Sequence, residues 1–268
     1  MAQGLEWPVA SFQESYVEAG GFRIRYVEAG QGHAVVALES APWRVSQLHH
    51  ALAHKYRLFV FEIPGFGTSP PNARSKSLKE VADTVAQGVA KVVAGNYSLM
   101  GTSFGANAAL WHTLQAPDQV EALIMISPTC ILPKEGSMTR KPGESAEWLF
   151  SRPDSAQGAL PADPDVSSKE LALARTPAGG THDAEAEDRL GEIQCATLVV
   201  FGHRDRMVAP EAARIYREKI ANCNVSIVYD AGHLIVAERP EALINVVSDF
   251  VERRETFVVS RQRGVINP

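Results

Sequence analysis

A chain of 268 residues, 45% hydrophobic and 21% charged, is long enough to bury a substantial core in one large α/β domain or two small ones. Its formal net charge of −5, without a lysine or arginine run, argues against nucleic acid or an anionic membrane as a partner. No apolar run approaches the ~20 residues that span a bilayer, and residues 1–12 lack the basic segment and apolar core of a signal peptide.

The three cysteines, Cys130, Cys195 and Cys223, are widely spaced and form no C-x-x-C pair. This spacing predicts neither a disulfide framework nor a zinc site. We therefore expect a cytoplasmic protein that carries no metal and no cofactor.

The N-terminal part of the chain predicts a β-hairpin. The segment Tyr16–Gly20 recurs as Tyr26–Gly30, and both copies alternate apolar and polar side chains. Gly20-Gly21 suits a tight turn between two such arms. Nothing later in the chain continues this period, so a repeat fold is excluded.

Buried strands and helices alternate through most of the remaining chain. Largely apolar runs predict strands at Ala34–Leu38, Leu58–Phe61, Tyr97–Met100, Ala122–Ile126, Thr197–Phe201 and Val225–Tyr229. Helices are predicted at Val45–Ala53, after an N-cap at Ser77, after Ser103, and near Pro210 and Pro240. This alternation predicts an α/β fold class, in which helices wrap a mostly parallel sheet.

Residues 131–192 interrupt the alternation, because they are rich in proline, glycine, serine and charge and show no buried strand. Short helical pieces are predicted around Ser145–Phe150, Ser168–Arg175 and Ala184–Leu190. A stretch of this length inside an α/β domain is typically functional or partly disordered. We interpret it as a small helical cap on a core formed by residues 1–130 and 193–268.

The tail, residues 253–268, extends past the last predicted helix. Phe257-Val258-Val259 fits a strand-like arm that docks on its own body or on a partner chain, and a flexible terminus fits nearly as well. The sequence therefore leaves open whether the chain forms a homodimer.

The segment Gly101-Thr102-Ser103-Phe104-Gly105 joins a predicted strand directly to a predicted helix. A reversal this tight places its middle residue in a strained backbone conformation and leaves neighbouring atoms little room. Gly101 and Gly105 supply that room, so Ser103 is presented at the apex with its hydroxyl clear of the sheet. In isolation a glycine-rich turn with an incidental serine would explain the pattern, but the flanking strand and helix favour a nucleophile elbow.

A serine hydroxyl is a poor nucleophile at neutral pH unless a base accepts its proton and a third group holds that base. His233 directly follows the last predicted strand, and so lies at the same sheet edge as Ser103. His203, on the loop after the preceding strand, is its closest rival. Four further histidines fall before or on an early helix, three of them with the spacing of a solvated face: His33, His49, His50 and His54.

Asp205 follows the second-last predicted strand and is our candidate for the carboxylate that orients His233. A turn aspartate paired with Arg204 or Arg206 is the alternative interpretation. Asp230 is a second candidate acid, although its sequence position is too near the histidine for a comfortable approach of the side chains.

Taken together, these features resemble the α/β-hydrolase superfamily. The chain order Ser103, Asp205, His233 and the elbow itself match that family. Further similar segments are Gly202–Val208, Ala231–His233 followed by Glu238–Glu241, and Pro64–Ser69. The resemblance covers about Gln13–Arg253 apart from the cap, and it implies an α/β-hydrolase fold of eight strands, the first of them antiparallel.

The resemblance also implies acyl transfer to water, because serine at the elbow argues against the dehalogenases and epoxide hydrolases, whose nucleophile is aspartate. Ser103 would attack a carbonyl carbon, with His233 as base and Asp205 as orienting acid. The backbone N–H groups of Phe104 and Ala41 would form the oxyanion hole. A carboxylesterase-like enzyme for small, largely apolar esters is expected. Carbon–carbon bond hydrolysis, perhydrolase-like chemistry and a weakly catalytic ligand-binding role stay open.

Substrate choice is expected to come from apolar side chains of the cap and of the loops around the site. The candidates for this pocket wall are Trp43, Trp148, Leu149, Phe150, Met207 and Leu234. Packing of the cap on the core explains the cap members about equally well. The expected partner is a small-molecule substrate, with no nucleic acid and no membrane.

Two positions depart from the family's pattern. Glu39-Ser40 stands where relatives usually carry His-Gly, and Glu62 stands where they usually carry aspartate. The strands that end at these residues are adjacent in the family's strand order, so the two carboxylates are expected to approach one another. Our hypothesis is that they share a proton, which would replace the usual histidine contact.

Overall fold

The computed structural model describes residues 8–40, 45–133, 149–152 and 182–257. Its strands are β1 (Gln13–Ala19), β2 (Phe22–Ala29), β3 (Ala34–Glu39), β4 (Arg57–Glu62), β5 (Tyr97–Thr102), β6 (Val120–Ile126), β7 (Ala196–Gly202) and β8 (Cys223–Val228). Within the described ranges they form one sheet with the order β1-β2-β4-β3-β5-β6-β7-β8. The predicted α/β class is therefore confirmed.

The strand that runs against the others is β2, which pairs antiparallel with both β1 and β4. All other neighbours pair in parallel. The resemblance implied that the first strand is reversed, and the structure corrects this to the second. The predicted turn joins β1 to β2, and its Gly20 and Gly21 have φ values of 56° and 79°, a region that glycine enters without strain.

The helices lie between and after these strands. They are α1 (Gln47–Ala53), α2 (Leu78–Val92), α3 (Phe104–Gln115), α4 (Ala184–Asp188), α5 (Ala213–Lys219), α6 (Ile235–Glu238) and α7 (Pro240–Arg253). Ser77 caps α2 as predicted, since its hydroxyl accepts the Glu80 N–H at 3.2 Å. Over the ranges given above, no helix is both long and apolar enough to cross a membrane.

Both faces of the sheet are covered by helices. Successive residues of β3 point to opposite faces. Val36 and Leu38 join the apolar cluster that contains residues of α2, α3 and α5, whereas Val35 and Ala37 join the cluster with α1 and α7. All four are fully buried, which explains why a strand in this position reads as an uninterrupted apolar run.

Several predictions for the cap and the tail fall outside the described residues. This holds for the helical piece at Ser168–Arg175 and for most of Ser145–Phe150, whereas the piece at Ala184–Leu190 corresponds to α4. At the C-terminal end, the ring of Phe257 packs edge-on against Phe250 with 5.3 Å between centroids. The rest of the tail lies outside the described residues, and the extent of the cap stays a prediction.

A buried polar pair joins β5 to α3. The Tyr97 hydroxyl lies 2.7 Å from His112 Nε2, and both side chains are almost completely buried. His112 Nδ1 has no hydrogen-bond partner within the described part of the chain. Burial lowers the pKa of His112 to about 4, because the charged imidazolium would lose its hydration.

We expect His112 to make the fold less stable in mild acid. In the unfolded chain its imidazole takes up a proton near pH 6.5, whereas in the folded protein it stays neutral down to about pH 4. As the pH falls through 6.5, the unfolded state binds a proton that the folded state does not. The free energy of unfolding should therefore drop by about 2 kcal/mol between pH 7 and pH 5 on account of this residue.

Urea unfolding of the wild type and of His112→Gln at both pH values measures this contribution, which should be absent from the variant. His54→Gln, at the exposed histidine that ends α1, is the matched control and should retain the loss that His112 causes. If the free energy of unfolding fell equally between pH 7 and pH 5 in the wild type and in His112→Gln, the effect could not be assigned to His112.

Candidate active site

Ser103 lies at the sharp turn between β5 and α3 with φ 55° and ψ −117°. A positive φ is uncommon for a residue with a side chain, so the surrounding contacts must hold it. The Ser103 N–H donates to the Ile126 carbonyl oxygen at 2.8 Å, and its own carbonyl oxygen accepts the Ala106 N–H at 3.0 Å. These bonds tie the strained residue to β6 on one side and to α3 on the other.

The two glycines of the elbow are needed because other backbone atoms occupy the space that a side chain would fill. A Cβ atom at Gly101 would lie 2.6 Å from the Ala106 nitrogen. A Cβ atom at Gly105 would lie 2.9 Å from the carbonyl carbon of Leu38 and closer still to its oxygen. The sequence prediction that both glycines make room for the turn is consistent with this geometry.

The structure brings Ser103, His233 and Asp205 into one hydrogen-bonded array. Ser103 Oγ lies 2.8 Å from His233 Nε2, and His233 Nδ1 lies 2.8 Å from Asp205 Oδ2. The other oxygen of Asp205 accepts the N–H groups of Met207 at 2.8 Å and Val208 at 3.0 Å. With Nδ1–H donating to the carboxylate, Nε2 is left as the acceptor for the serine proton.

The loops that carry Asp205 and His233 pack directly on each other, because they follow the neighbouring strands β7 and β8. The Arg204 N–H donates to the Ala231 carbonyl oxygen at 2.9 Å. A Cβ atom at Gly202 would lie 2.5 Å from the same oxygen. Ser127, which follows β6, donates its hydroxyl to the carbonyl oxygen of His233 at 2.9 Å. Sequence reasoning missed this last contact, since nothing distinguishes Ser127 from an ordinary loop serine.

The rival candidates point elsewhere. His203 is exposed and stacks on Tyr229 with 4.9 Å between ring centroids. The side chain of Asp230 is exposed and pairs with Arg204 at 3.1 Å. Neither reaches Ser103 or His233 in the contacts that the described residues make.

The prediction of a solvated histidine face on the early helix is wrong for His49, which is 2% exposed. Its Nδ1 accepts the Ser46 N–H at 3.0 Å, so Nε2 carries the ring proton and lies 3.3 Å from a carboxylate oxygen of Glu39. His33 and His50 are half-buried, and His54 is exposed.

Glu39 and Glu62 stand side by side in the register of β3 and β4, as expected, but each has its own partners. Glu39 accepts the Thr102 hydroxyl at 3.3 Å in addition to facing His49. Glu62 is completely buried, accepts the N–H of Ser69 at 2.7 Å as well as its hydroxyl, and lies 3.6 Å from an Arg25 nitrogen. These separate sets of donors give no support to a shared proton.

The other predicted site residues are described only in part. Phe104 is the first residue of α3, where a backbone N–H makes no bond within the helix, and its ring packs 4.9 Å from that of Phe66. Phe150 and Leu234 are buried against each other, with half-buried Leu149 beside them. Met207 is half-buried next to the acid. Ala41, Trp43 and Trp148 lie outside the described residues.

Comparison with known proteins identifies the family. The chain matches the model of the alpha/beta hydrolase family over residues 16–246, a range that includes the serine, the acid and the histidine of the array. The chain belongs to the alpha/beta hydrolase family.

Similar members of the alpha/beta hydrolase family differ in the compounds that they hydrolyse. The chain is 22% identical to 2-hydroxy-6-oxo-6-(2'-aminophenyl)hexa-2,4-dienoic acid hydrolase of Metapseudomonas resinovorans, over 91% of this chain and 93% of that one. It is 24% identical to monoacylglycerol lipase abhd6-B of Xenopus laevis, over 94% and 89%. The crystal structure of a serine hydrolase involved in carbazole degradation superposes with a TM-score of 0.76 at 22% identity, over 90% and 99%. The α/β-hydrolase fold is thus confirmed.

Proposed function

We propose that this chain is a carboxylesterase-like serine hydrolase of small, largely apolar esters. Ser103 is the nucleophile, His233 the base and Asp205 the acid that orients it. The observation that carries the proposal is the continuous array of hydrogen bonds through these three side chains, with 2.8 Å at each contact to the imidazole. The apolar cluster of Phe150 and Leu234 beside the base favours an apolar substrate.

In the first half of the reaction, the Ser103 oxygen attacks the carbonyl carbon of the ester while its proton passes to His233 Nε2. The negative charge that develops on the carbonyl oxygen is stabilised by the Phe104 N–H, a contribution of about 3 kcal/mol for such a donor. When the carbonyl re-forms, the bond to the leaving alcohol breaks and the alcohol oxygen takes the proton from His233. Ser103 is then esterified with the acyl group.

Water completes the cycle. His233 removes a proton from a water molecule as the water oxygen attacks the acyl carbon, and the same proton then passes to the departing Ser103 oxygen. The carboxylic acid is released and the free serine is restored. Asp205 stabilises the imidazolium that forms in each half, and it keeps the imidazole in the tautomer that can accept a proton.

Carbon–carbon bond hydrolysis on the same three residues is the second candidate. It is favoured by the relatives. The Metapseudomonas resinovorans protein is named as a hydrolase of a 2-hydroxy-6-oxo dienoic acid. A Pseudomonas putida protein, 25% identical over 76% of this chain and 80% of that one, is named as a hydrolase of 2-hydroxy-6-oxononadienedioate and 2-hydroxy-6-oxononatrienedioate. Initial rates on a panel of short to long acyl esters, compared with rates on a 2-hydroxy-6-oxo dienoic acid, decide between the two.

The proposal is tested by intact mass after incubation with a fluorophosphonate, a reagent that phosphonylates an activated serine. We expect one adduct on the wild type and none on Ser103→Ala or His233→Ala, because the probe needs both the nucleophile and its base. His203→Ala is the matched control and should keep the adduct, since that imidazole stacks on Tyr229 at the surface. A folded wild type without an adduct would contradict the proposal.

A further inference from the structure

The carboxylate of Glu238, at the end of α6, collects donors from two separate parts of the chain. It accepts the Gly232 N–H at 2.6 Å and the Ser151 N–H at 2.9 and 3.0 Å. It also accepts the Ser151 hydroxyl at 2.7 Å and the Arg152 N–H at 3.2 Å. Burial works against ionisation here, but these hydrogen bonds outweigh it and lower the pKa of Glu238 below its ordinary value. The side chain therefore serves as a charged acceptor for four donors.

The segment 149–152, which supplies three of these donors, lies directly on the loop that carries the base. The Leu234 N–H donates to the Leu149 carbonyl oxygen at 3.0 Å. A Cβ atom at Gly232 would lie 2.7 Å from the backbone of Phe150, so only glycine permits this approach. The segment and the histidine loop are thus in contact through their backbones.

The side chains of the two pieces meet on the apolar side of this contact. Phe150 and Leu234 are 1% and 4% exposed and pack against each other, and Leu149 is half-buried beside them. Leu234 directly follows the base in the chain. The cluster therefore adjoins the loop that, in the proposed reaction, presents His233 to an acyl group on Ser103.

We infer that Glu238 is a positioning residue that sets the acyl-chain preference, because it fastens the segment 149–152 to the histidine loop and so fixes an apolar wall at Leu149. The inference rests on the proposed ester hydrolysis. Among the hydrogen bonds of the described residues, none joins Glu238 to Ser103 or to the imidazole of His233. Glu238 acts through the backbone of Gly232 and through the segment.

A neutral amide cannot take over this role. A glutamine presents one oxygen and one NH₂ group where the carboxylate presents two acceptor oxygens. Its NH₂ would face an N–H donor of Gly232 or Ser151, which leaves that donor without an acceptor in a half-buried place. In Glu238→Gln the segment is therefore held less firmly to the loop, while the serine, the base and the acid keep their own hydrogen bonds.

The test compares p-nitrophenyl esters from acetate to octanoate on the wild type and Glu238→Gln, with rates expressed per site titrated by the fluorophosphonate. We expect the ratio of kcat/KM for the octanoate to that for the acetate to change at least fivefold. KM for the long ester should carry most of the change, while kcat per site on acetate stays within threefold. A merely structural role would lower the number of titrated sites and leave the ratio as it is.

Two further variants keep the test decisive. Glu241→Gln, three residues on and paired with Arg239 at 2.7 Å, is the matched control and should give the wild-type ratio. Ser151→Ala removes one donor to the carboxylate, and should move the ratio in the same direction as Glu238→Gln by a smaller factor. Should Glu238→Gln fail to fold, an unchanged ratio in Ser151→Ala would overturn the inference.

The inference and the proposed function fail in different ways. Suppose that the wild type is phosphonylated and hydrolyses the esters, but that its octanoate-to-acetate ratio of kcat/KM equals that of Glu238→Gln. This result overturns only the role of Glu238. A folded wild type that is neither phosphonylated nor active on esters overturns the proposed function, and the inference with it.

Discussion

Replacing Asp205 by asparagine is expected to lower kcat on an ester about 10³- to 10⁴-fold and to leave the fold intact. One oxygen of Asp205 accepts the N–H groups of Met207 and Val208, and an asparagine keeps its carbonyl oxygen on these donors. Its NH₂ group must then face His233 Nδ1, where the carboxylate oxygen now lies at 2.8 Å. The imidazole is forced to carry its proton on Nε2, and can no longer accept the proton of Ser103.

Asp230→Asn is the matched control for this experiment. Asp230 lies closer to the histidine in sequence, but its exposed side chain pairs with Arg204, so kcat should remain that of the wild type. Its φ of 54° is one that asparagine adopts readily. Circular dichroism of both variants verifies the fold. A kcat of Asp205→Asn within tenfold of the wild type, or an equal loss in Asp230→Asn, would contradict the assignment of the acid.

Gly105→Ala is expected to lower the free energy of unfolding by about 3 kcal/mol or more, the upper part of the range for overpacked cores. The added methyl group would collide with the carbonyl group of Leu38. Leu38 lies in β3, which is paired with β4 on one side and β5 on the other, so its backbone cannot move aside. Urea unfolding followed by far-UV circular dichroism measures the loss.

Gly191→Ala shows what the same change does where there is room. A Cβ atom at Gly191 would have its nearest neighbour, the Lys219 carbonyl oxygen, at 3.7 Å, an ordinary contact distance. The free energy of unfolding of this variant should lie within about 0.5 kcal/mol of that of the wild type. If Gly105→Ala matched it, the close approach of the elbow to β3 would not be a constraint on the fold.

Much of the fold could be predicted because a strand covered on both faces reads as an apolar run, as Ala34–Leu38 does, and because helices between such strands alternate with them. The predicted ends of the strands were less accurate. The run Val225–Tyr229 was predicted as the last strand, but β8 ends at Val228 and Tyr229 is 67% exposed. Apolar side chains predict a strand only while they face the core, and this tyrosine instead stacks on His203.

The array of Ser103, His233 and Asp205 could be anticipated because each residue follows a parallel strand, and the carboxyl ends of parallel strands share one edge of the sheet. Contacts between segments that lie far apart along the chain leave no comparable signal in the sequence. The bond from Ser151 to Glu238 joins residues 87 positions apart. Spacing along α1 likewise could not reveal that His49 is buried, because its partner Glu39 belongs to a strand.

The bond between Ser103 and His233 has a consequence for synthesis of the chain, since it joins residues 130 positions apart. Ribosomes add about 5–20 residues per second, so roughly 7–26 s separate the synthesis of the nucleophile from that of its base. Throughout this interval the nascent chain contains the elbow but not His233, and for most of it strand β8 (Cys223–Val228) is missing as well. Under the proposed mechanism, the serine therefore becomes reactive only after His233 has been made and β8 has joined the sheet, which protects the unfinished chain from acylation by the substrates of the finished protein.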